Sequence, residues 1–122
     1  MKLNLDDITF VIVTYQSEHI IKNCLDSLPR GSKKIIIEIS SNINLYKELK
    51  AKYDNIEVIV SKNIGMGAGN NIGLKLCKTS FAFVLNPNYF LHPFLYYLRL
   101  LPQYCHILIL NLFLIYCYLS FR

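Results

Sequence analysis

The chain has 122 residues, a formal net charge of +5 and a sequence pI near 9.0. Its length predicts a single domain, because separate domains need on the order of 50–200 residues each. The lysines are scattered and no basic run is interleaved with aromatic residues, so the composition argues against a nucleic-acid partner. Every acidic residue lies at or before Glu57, which excludes a carboxylate base or an oxygen-rich metal site built from the second half of the printed sequence.

The cysteines and the first residues indicate the compartment. Cys24, Cys77, Cys105 and Cys117 form no CxxC pair and have no zinc-type spacing with a histidine, so we interpret them as free thiols in a reducing environment. The opening MKLNLDD turns acidic where the apolar core of a secretory signal would begin. Both features predict a cytoplasmic protein.

The first sixty residues alternate between apolar strands and amphipathic helices. Continuous apolar runs rich in β-branched residues predict strands at 8–15, 33–40 and 55–60, because such runs are typical of strands buried on both faces of a parallel sheet. Helical spacing predicts helices at 18–28, after an N-cap at Ser17, and at 44–53. This βαβαβ order predicts an open α/β sheet that binds ligands beyond the carboxyl ends of its strands.

A segment rich in glycine and asparagine, SKNIGMGAGNNIG at 61–73, follows the third strand, and the sequence predicts a third helix at 70–80 and a fourth strand at 81–87. The segment misses the dinucleotide fingerprint, since Asn70 replaces its third glycine and no ribose-binding acid follows, and it lacks the lysine of a P-loop. Two interpretations remain open. The glycines supply positive φ angles and tight turns, or they let backbone approach a ligand between asparagine amides.

Three blocks in order resemble the amino-terminal half of family 2 glycosyltransferases, which are GT-A fold enzymes that use nucleotide-diphosphate sugars. The blocks are VIVTYQSEHIIKNCLDSL, IIIEISSN and NIGMGAGNNIGLKLCKTSFAFVLNPN, and together they cover residues 8–88. The resemblance implies a Rossmann-like half with a mostly parallel sheet of about four strands flanked by helices. It also implies transfer of a sugar to a glycan, such as a cell-surface polysaccharide, or to a lipid-linked acceptor.

The resemblance further implies the residues of a donor site. At the nucleoside end it places Thr14, Tyr15 and Glu38, and the Glu38 carboxylate would accept a hydrogen bond from the imide N–H of the base. The alternatives are that Tyr15 only covers the end of its strand and that Glu38 is a solvated acid. The ribose and the diphosphate would be lined by three amides and one glycine, namely Asn63, Gly67, Asn70 and Asn71.

The fourth strand ends in Asn86-Pro87-Asn88, where the family places an acidic motif that holds Mg²⁺ or Mn²⁺ against the diphosphate. The implied metal would neutralise charge on the leaving nucleotide, with Asn86 and Asn88 in the place of the motif and Asn88 in the place of its last acid. A neutral amide is a far weaker ligand for a hard dication than a carboxylate, which argues against this metal site. The family also takes its catalytic base from the second half of the fold, so the sequence predicts an incomplete enzyme with little or no transfer activity.

Residues 89–122 differ in composition from residues 1–88, since they contain no Gly, Ala, Val, Thr, Lys, Asp or Glu. No charge appears between Arg99 and Arg122, and HILILNLFLIYCYLSF within that stretch is about as long as the shorter membrane-spanning helices, which predicts an apolar, helical tail. Two interpretations stay open. We favour an unintended reading frame that truncates a glycosyltransferase, because the composition changes where the acceptor half should begin. The other is a genuine membrane segment, which would suit a glycosyltransferase that acts on lipid-linked acceptors at the inner face of the membrane. A protein of a different class is the alternative to an enzyme: a small non-catalytic α/β protein whose tail anchors it in the membrane.

Overall fold

A computed structural model of the chain describes residues 4–88 and 117–119, which form one sheet and the helices that pack against it. A short 3-10 helix, Leu5–Asp7, precedes the first strand. In chain order the elements are β1 (Ile8–Thr14), α1 (Glu18–Asp26), β2 (Lys33–Glu38), α2 (Ile43–Lys52), β3 (Ile56–Val60), α3 (Met66–Leu76), β4 (Phe81–Leu85) and β5 (Cys117–Leu119).

The strand order is β3-β2-β1-β4-β5. The first four strands along the chain run parallel, and β5 pairs antiparallel with β4. The chain therefore crosses the sheet in one direction from β1 to β3 and returns to the other side of β1 with β4. Loops that diverge at such a switch point leave a crevice beyond the carboxyl ends of the strands. The predicted, mostly parallel α/β fold is confirmed.

Alternate residues of β1 belong to the two faces of the sheet. Phe10 and Ile12 pack in a core with α1 and α2, whereas Val11 and Val13 pack in a second core with α3. All four side chains are buried. Because β1 and its neighbour β2 are covered on both faces, their sequences are continuous apolar runs rather than alternating ones.

Helix α3 lies unusually close to β1, and this contact explains two glycines. A Cβ atom on Gly69 would lie 2.9 Å from Cγ2 of Val13, and one on Gly73 would lie 2.3 Å from Cγ1 of Val11. The helix begins at Met66, four residues before the predicted start at residue 70. The prediction was wrong because glycine has a low intrinsic helix propensity, whereas packing against β1 stabilises a glycine-rich helix here.

Three residues of the predicted tail are described, and they are the strand β5, so the predicted helix does not include them. The rest of the tail falls outside the described residues, and so does the predicted membrane segment apart from these three residues. Over residues 4–88, none of the helices is both long and apolar enough to cross a membrane. The predicted boundary at residue 88 stays a prediction.

Candidate functional site

The register of the sheet brings the predicted site residues to one edge. Thr14 pairs with Glu38, and Glu38 pairs with Val60, so β1, β2 and β3 end in the same row. Leu85, the last residue of β4, pairs with Ile12, and the Asn86-Pro87-Asn88 segment therefore continues beside the end of β1. The loops after all four parallel strands thus meet at the carboxyl edge, which is the ligand-binding edge of open α/β sheets.

Glu38 is completely buried, with 0% of its surface exposed. One carboxylate oxygen, Oε1, accepts hydrogen bonds from the N–H of Ser40 at 2.9 Å and from the Ser40 hydroxyl, and Oε2 accepts from the N–H of Asn42 at 2.7 Å. The alternative of a solvated acid is therefore wrong. The predicted contact between Glu38 and a base stays a prediction.

Thr14 and Tyr15 differ sharply in exposure. Thr14 is fully buried, its carbonyl oxygen accepts the N–H of Ile39 at 2.9 Å, and its hydroxyl has no hydrogen-bond partner among the described residues. Tyr15, the next residue, is 46% exposed. The end of β1 thus combines a buried hydroxyl group with an exposed aromatic residue at the next position.

Hydrogen bonds join the loops that follow β1, β2 and β3. The Ser40 hydroxyl accepts the N–H of Gln16 at 3.3 Å, which connects the first two loops. The N–H of Ser61 donates to the carbonyl oxygen of Glu38 at 2.8 Å, and the N–H of Ser41 donates to the carbonyl oxygen of Ser61 at 3.1 Å. The loop after β2 is therefore held on both sides, with Glu38 at its base.

Asn42 connects this loop to the helices on the α1 and α2 face. Its side-chain oxygen accepts the N–H of Leu45 at 2.9 Å and caps α2, while its side-chain nitrogen donates to Oε1 of Glu18 at 2.6 Å. The pKa of Glu18 is lowered, first by a backbone hydrogen bond at Glu18 itself and then by the Asn42 amide. Sequence reasoning missed Asn42, although an asparagine just before a helix is a recognised N-cap signal.

The glycine-rich segment forms the entry to α3 at the same edge. The Asn63 side-chain oxygen accepts the N–H of Gly65 at 3.0 Å, and Gly65 is the N-cap with a φ of +84°. A Cβ on Gly67 would meet no described atom within 4 Å, so this turn of backbone is open. Two further predicted residues lie on the second turn, the half-buried Asn70 and the exposed Asn71.

Because Gly69 packs on Val13 and Gly73 packs on Val11, α3 runs antiparallel to β1 and its N-terminus lies toward the carboxyl edge. The first N–H groups of a helix have no intrahelical partners, and the helix dipole places positive potential there. This end of α3 is therefore suited to an anionic group.

The residues after β4 do not fit a divalent metal ion. The side-chain oxygen of Asn86 accepts the N–H of Asn88 at 3.0 Å, and Asn88 is exposed. Neither side chain carries charge, and the part of the chain that the structure describes contains no group of three or more His, Cys, Asp or Glu residues that could hold a metal. Hard dications prefer carboxylate oxygens, so the Mg²⁺ or Mn²⁺ site implied by the resemblance lacks its ligand here.

A separate cleft of about 340 Å³ lies at the opposite, amino-terminal edge of the sheet, and its lining includes Thr9, Lys33, Asn55 and Thr79. None of the predicted site residues lines it. The candidate site is therefore the carboxyl edge, where the switch point and the N-terminus of α3 lie.

No family model matches the chain. A poly(ribitol-phosphate) beta-glucosyltransferase of Bacillus spizizenii (strain ATCC 23059 / NRRL B-14472 / W23) is 32% identical over an alignment of 83 residues, which takes in 58% of this chain and 13% of that enzyme. The resemblance to a glycosyltransferase is confirmed. The glycosyltransferase-like part of the chain spans only a small share of the curated relative.

Solved structures agree with this resemblance at the level of the fold. Crystal structures of S. aureus TarS 1-349 in complex with UDP and with UDP-GlcNAc each match with a TM-score of 0.56, at 18% and 19% identity. Each match covers 67% of this chain and about a quarter of the TarS 1-349 chain, 27% and 26%. A 4-diphosphocytidyl-2C-methyl-D-erythritol synthase from Anaerococcus prevotii also matches, with a TM-score of 0.56 and 16% identity. The fold alone therefore does not select one activity.

Proposed function

We propose that residues 4–88 form the donor-binding part of a glycosyltransferase that uses a uridine diphosphate sugar. The observation that carries the proposal is the open N-terminal turn of α3, which lies at the carboxyl edge beside the switch point between β1 and β4. The sequence relative is a glucosyltransferase, and TarS, which shares the fold, is seen with UDP and with UDP-GlcNAc.

In this proposal the diphosphate lies against the first turn of α3. The first N–H groups of a helix lack intrahelical partners and can donate to an anion, and the missing side chain at Gly67 leaves space for phosphate oxygens. Asn63 and Asn70 flank this turn and would contact the ribose hydroxyls and the diphosphate, since an amide both donates and accepts. Asn71, which is exposed at the next position of the same helix, would also contact the ribose or the diphosphate.

The nucleoside lies between the loops after β1 and β2. The exposed ring of Tyr15 offers a face on which a pyrimidine can stack, and aromatic stacking of this kind is worth about 1–3 kcal/mol per base in nucleic-acid complexes. Thr14 and Glu38 lie beneath this position, at the end of their strands. Asn86 and Asn88 would contact the donor from the other side of β1.

The sugar acceptor and the catalytic base are not part of the proposed site. A family 2 glycosyltransferase needs a carboxylate to deprotonate its acceptor, and the printed sequence has no acid after Glu57. We infer that the 122 residues bind the donor but transfer little or no sugar by themselves. The complete reaction would deliver the sugar to a glycan or to a lipid-linked acceptor in the cytoplasm.

Calorimetric titration of the chain with UDP, UDP-GlcNAc and UDP-glucose tests donor binding. We expect saturable heat with UDP and about a tenfold weaker affinity in Gly67→Leu, whose side chain would fill the open turn. Lys75→Leu, at the far end of the same exposed helix face, is the control and should bind UDP as the wild type does. A folded wild-type sample that releases no heat with any of these nucleotides would overturn the proposal.

The composition of residues 89–122 favours a second candidate, a non-catalytic α/β protein held at the inner face of the membrane. This candidate predicts that the expressed chain stays with membranes after carbonate extraction and does not bind UDP. Recovery of a UDP-binding chain in the soluble fraction would count against it.

A further inference from the structure

We propose that Glu38 is a positioning residue of the nucleoside pocket, which holds the loop after β2 in place instead of contacting the base. The inference rests on the proposed function, since it describes how one residue of the proposed donor site acts. It differs from the contact that the family resemblance implies, and three observations carry it.

The first observation is the hydrogen-bond capacity of the carboxylate. An ionised carboxylate has about four acceptor positions, and Glu38 uses three of them for the N–H groups of Ser40 and Asn42 and for the Ser40 hydroxyl. None of its surface is exposed. About one acceptor position is left, and because the carboxylate is fully buried, a base could reach it only if the loop that covers it moved.

The second observation is the backbone that these hydrogen bonds hold. Ser41 has a φ of +61° and Gln16 has a φ of +47°, and side chains larger than glycine adopt this region only at an energetic cost. Ser41 lies between the two residues that donate to Glu38, and Gln16 donates its N–H to the Ser40 hydroxyl. Such conformations persist where the surroundings over-determine them. Glu38 accepts the hydrogen bonds from the residues on either side of Ser41, and the Ser40 hydroxyl that donates to Glu38 also accepts the Gln16 N–H.

The third observation is that the loop held by Glu38 is itself anchored to a helix. Asn42 donates its backbone N–H to Glu38, while its side chain caps α2 and donates to Glu18. The loop is therefore fixed at both ends before any ligand binds. Its backbone and the ring of Tyr15 then recognise the base, so loss of the Glu38 carboxylate should weaken binding of every pyrimidine nucleotide by a similar factor.

Glu38→Gln separates positioning from contact. The glutamine amide nitrogen would face a backbone N–H that the carboxylate accepted, so we expect amide hydrogen exchange at Ser40 and Asn42 in the nucleotide-free protein to become at least about tenfold faster. Calorimetry should show the affinities for UDP and CDP falling together, with their ratio unchanged within about twofold. Unchanged exchange, or a ratio that collapses because UDP alone binds more weakly, would overturn positioning.

Two further variants complete the design. Glu57→Gln removes an exposed carboxylate from β3 and should change neither exchange nor affinity. Ser40→Ala keeps Glu38 but removes the hydroxyl that accepts the Gln16 N–H, and it serves if Glu38→Gln does not fold. Faster amide exchange at Gln16, with an equal loss of affinity for UDP and CDP, supports the positioning role. Unchanged exchange at Gln16 refutes the positioning role. A wild type that binds neither nucleotide would refute the proposed function, and the exchange data would still decide whether Glu38 holds the loop.

Discussion

The glycines of the segment after β3 have different physical roles at neighbouring positions. Gly65 has a φ of +84°, which side chains other than glycine rarely adopt. Gly69 and Gly73 are buried against valines of β1, and Gly67 faces open space. Gly65 matches the interpretation that the glycines supply positive φ angles at a turn. The close contact of Gly69 and Gly73 with β1 was not predicted, and the approach of a ligand at Gly67 stays a proposal.

Substitution of single glycines by alanine tests this assignment at the residue scale. Gly73→Ala would force a methyl group to 2.3 Å from Cγ1 of the buried Val11, and we expect it to destabilise the fold by about 1–3 kcal/mol, as overpacking usually does. Gly67→Ala has open space at a helical position and should be neutral or stabilising by up to about 1 kcal/mol. Chemical denaturation of both variants measures the difference, and equal midpoints would contradict the close packing of α3 on β1.

The neutral Asn88 leads to a second prediction at this scale. If the donor site lacks metal because Asn88 replaces an acid, UDP affinity in the wild type should be the same with Mg²⁺ as with EDTA. Asn88→Asp supplies a carboxylate ligand, and we expect Mg²⁺ to raise its UDP affinity several-fold. Calorimetry in both buffers gives the answer, and metal-dependent binding by the wild type would show that other groups hold the metal.

Cys24 gives a prediction about pH. Burial raises the pKa of its thiol from 9.0 to about 11, so the unfolded chain ionises at a lower pH than the folded one and stability is lost as pH rises from about 9 to about 11. Between about pH 8 and about pH 10.5, Cys24→Ala should lose less unfolding free energy than the wild type, by roughly 2 kcal/mol. Chemical denaturation at several pH values measures this difference, and an equal loss of unfolding free energy in the two proteins over this range would contradict the raised pKa.

At the scale of elements, the start of α2 depends on one side chain. Asn42→Ala removes the cap on the Leu45 N–H and the hydrogen bond to Glu18, and loss of an N-cap typically costs about 0.5–2 kcal/mol. We expect destabilisation of this size and an increase in the pKa of Glu18, which the Asn42 amide helps to lower. Denaturation and NMR titration measure the two effects. Asn44→Ala, exposed two residues later in α2, is the control and should change neither.

At the scale of the whole molecule, β1 is the structural centre. It pairs with β2 on one side and β4 on the other, and helices cover both of its faces. We therefore expect the amides of Val11, Ile12 and Val13 to exchange only through global unfolding, while the exposed first turn of α3 exchanges through local opening. Hydrogen exchange in increasing denaturant tests this order, and β1 amides that exchange as fast as those of Gly67 would contradict it.

The first four strands and the first two helices were predicted within about two residues of their ends, because buried strands and amphipathic helices leave local patterns of apolar residues. The strand β5 was not predicted, since it lies in the tail that was expected to be helical. The start of α3 was missed by four residues, since its glycines become helical only in contact with Val11 and Val13. The positions of Thr14, Glu38 and Asn86 at one edge could also be predicted, because parallel strands end together. The burial of Glu38 could not.

The sequence by itself determined the order of strands and helices up to β4, the resemblance to a glycosyltransferase and the absence of acidic residues after Glu57. Only the tertiary structure decided that β1 is central, that α3 lies directly on it, and that the Glu38 carboxylate is occupied by its own loop. The reason is the range of the interactions. Apolar periodicity is written into neighbouring residues, whereas the contact between Gly73 and Val11, and the hydrogen bond between Gln16 and Ser40, join residues that only the folded chain brings together.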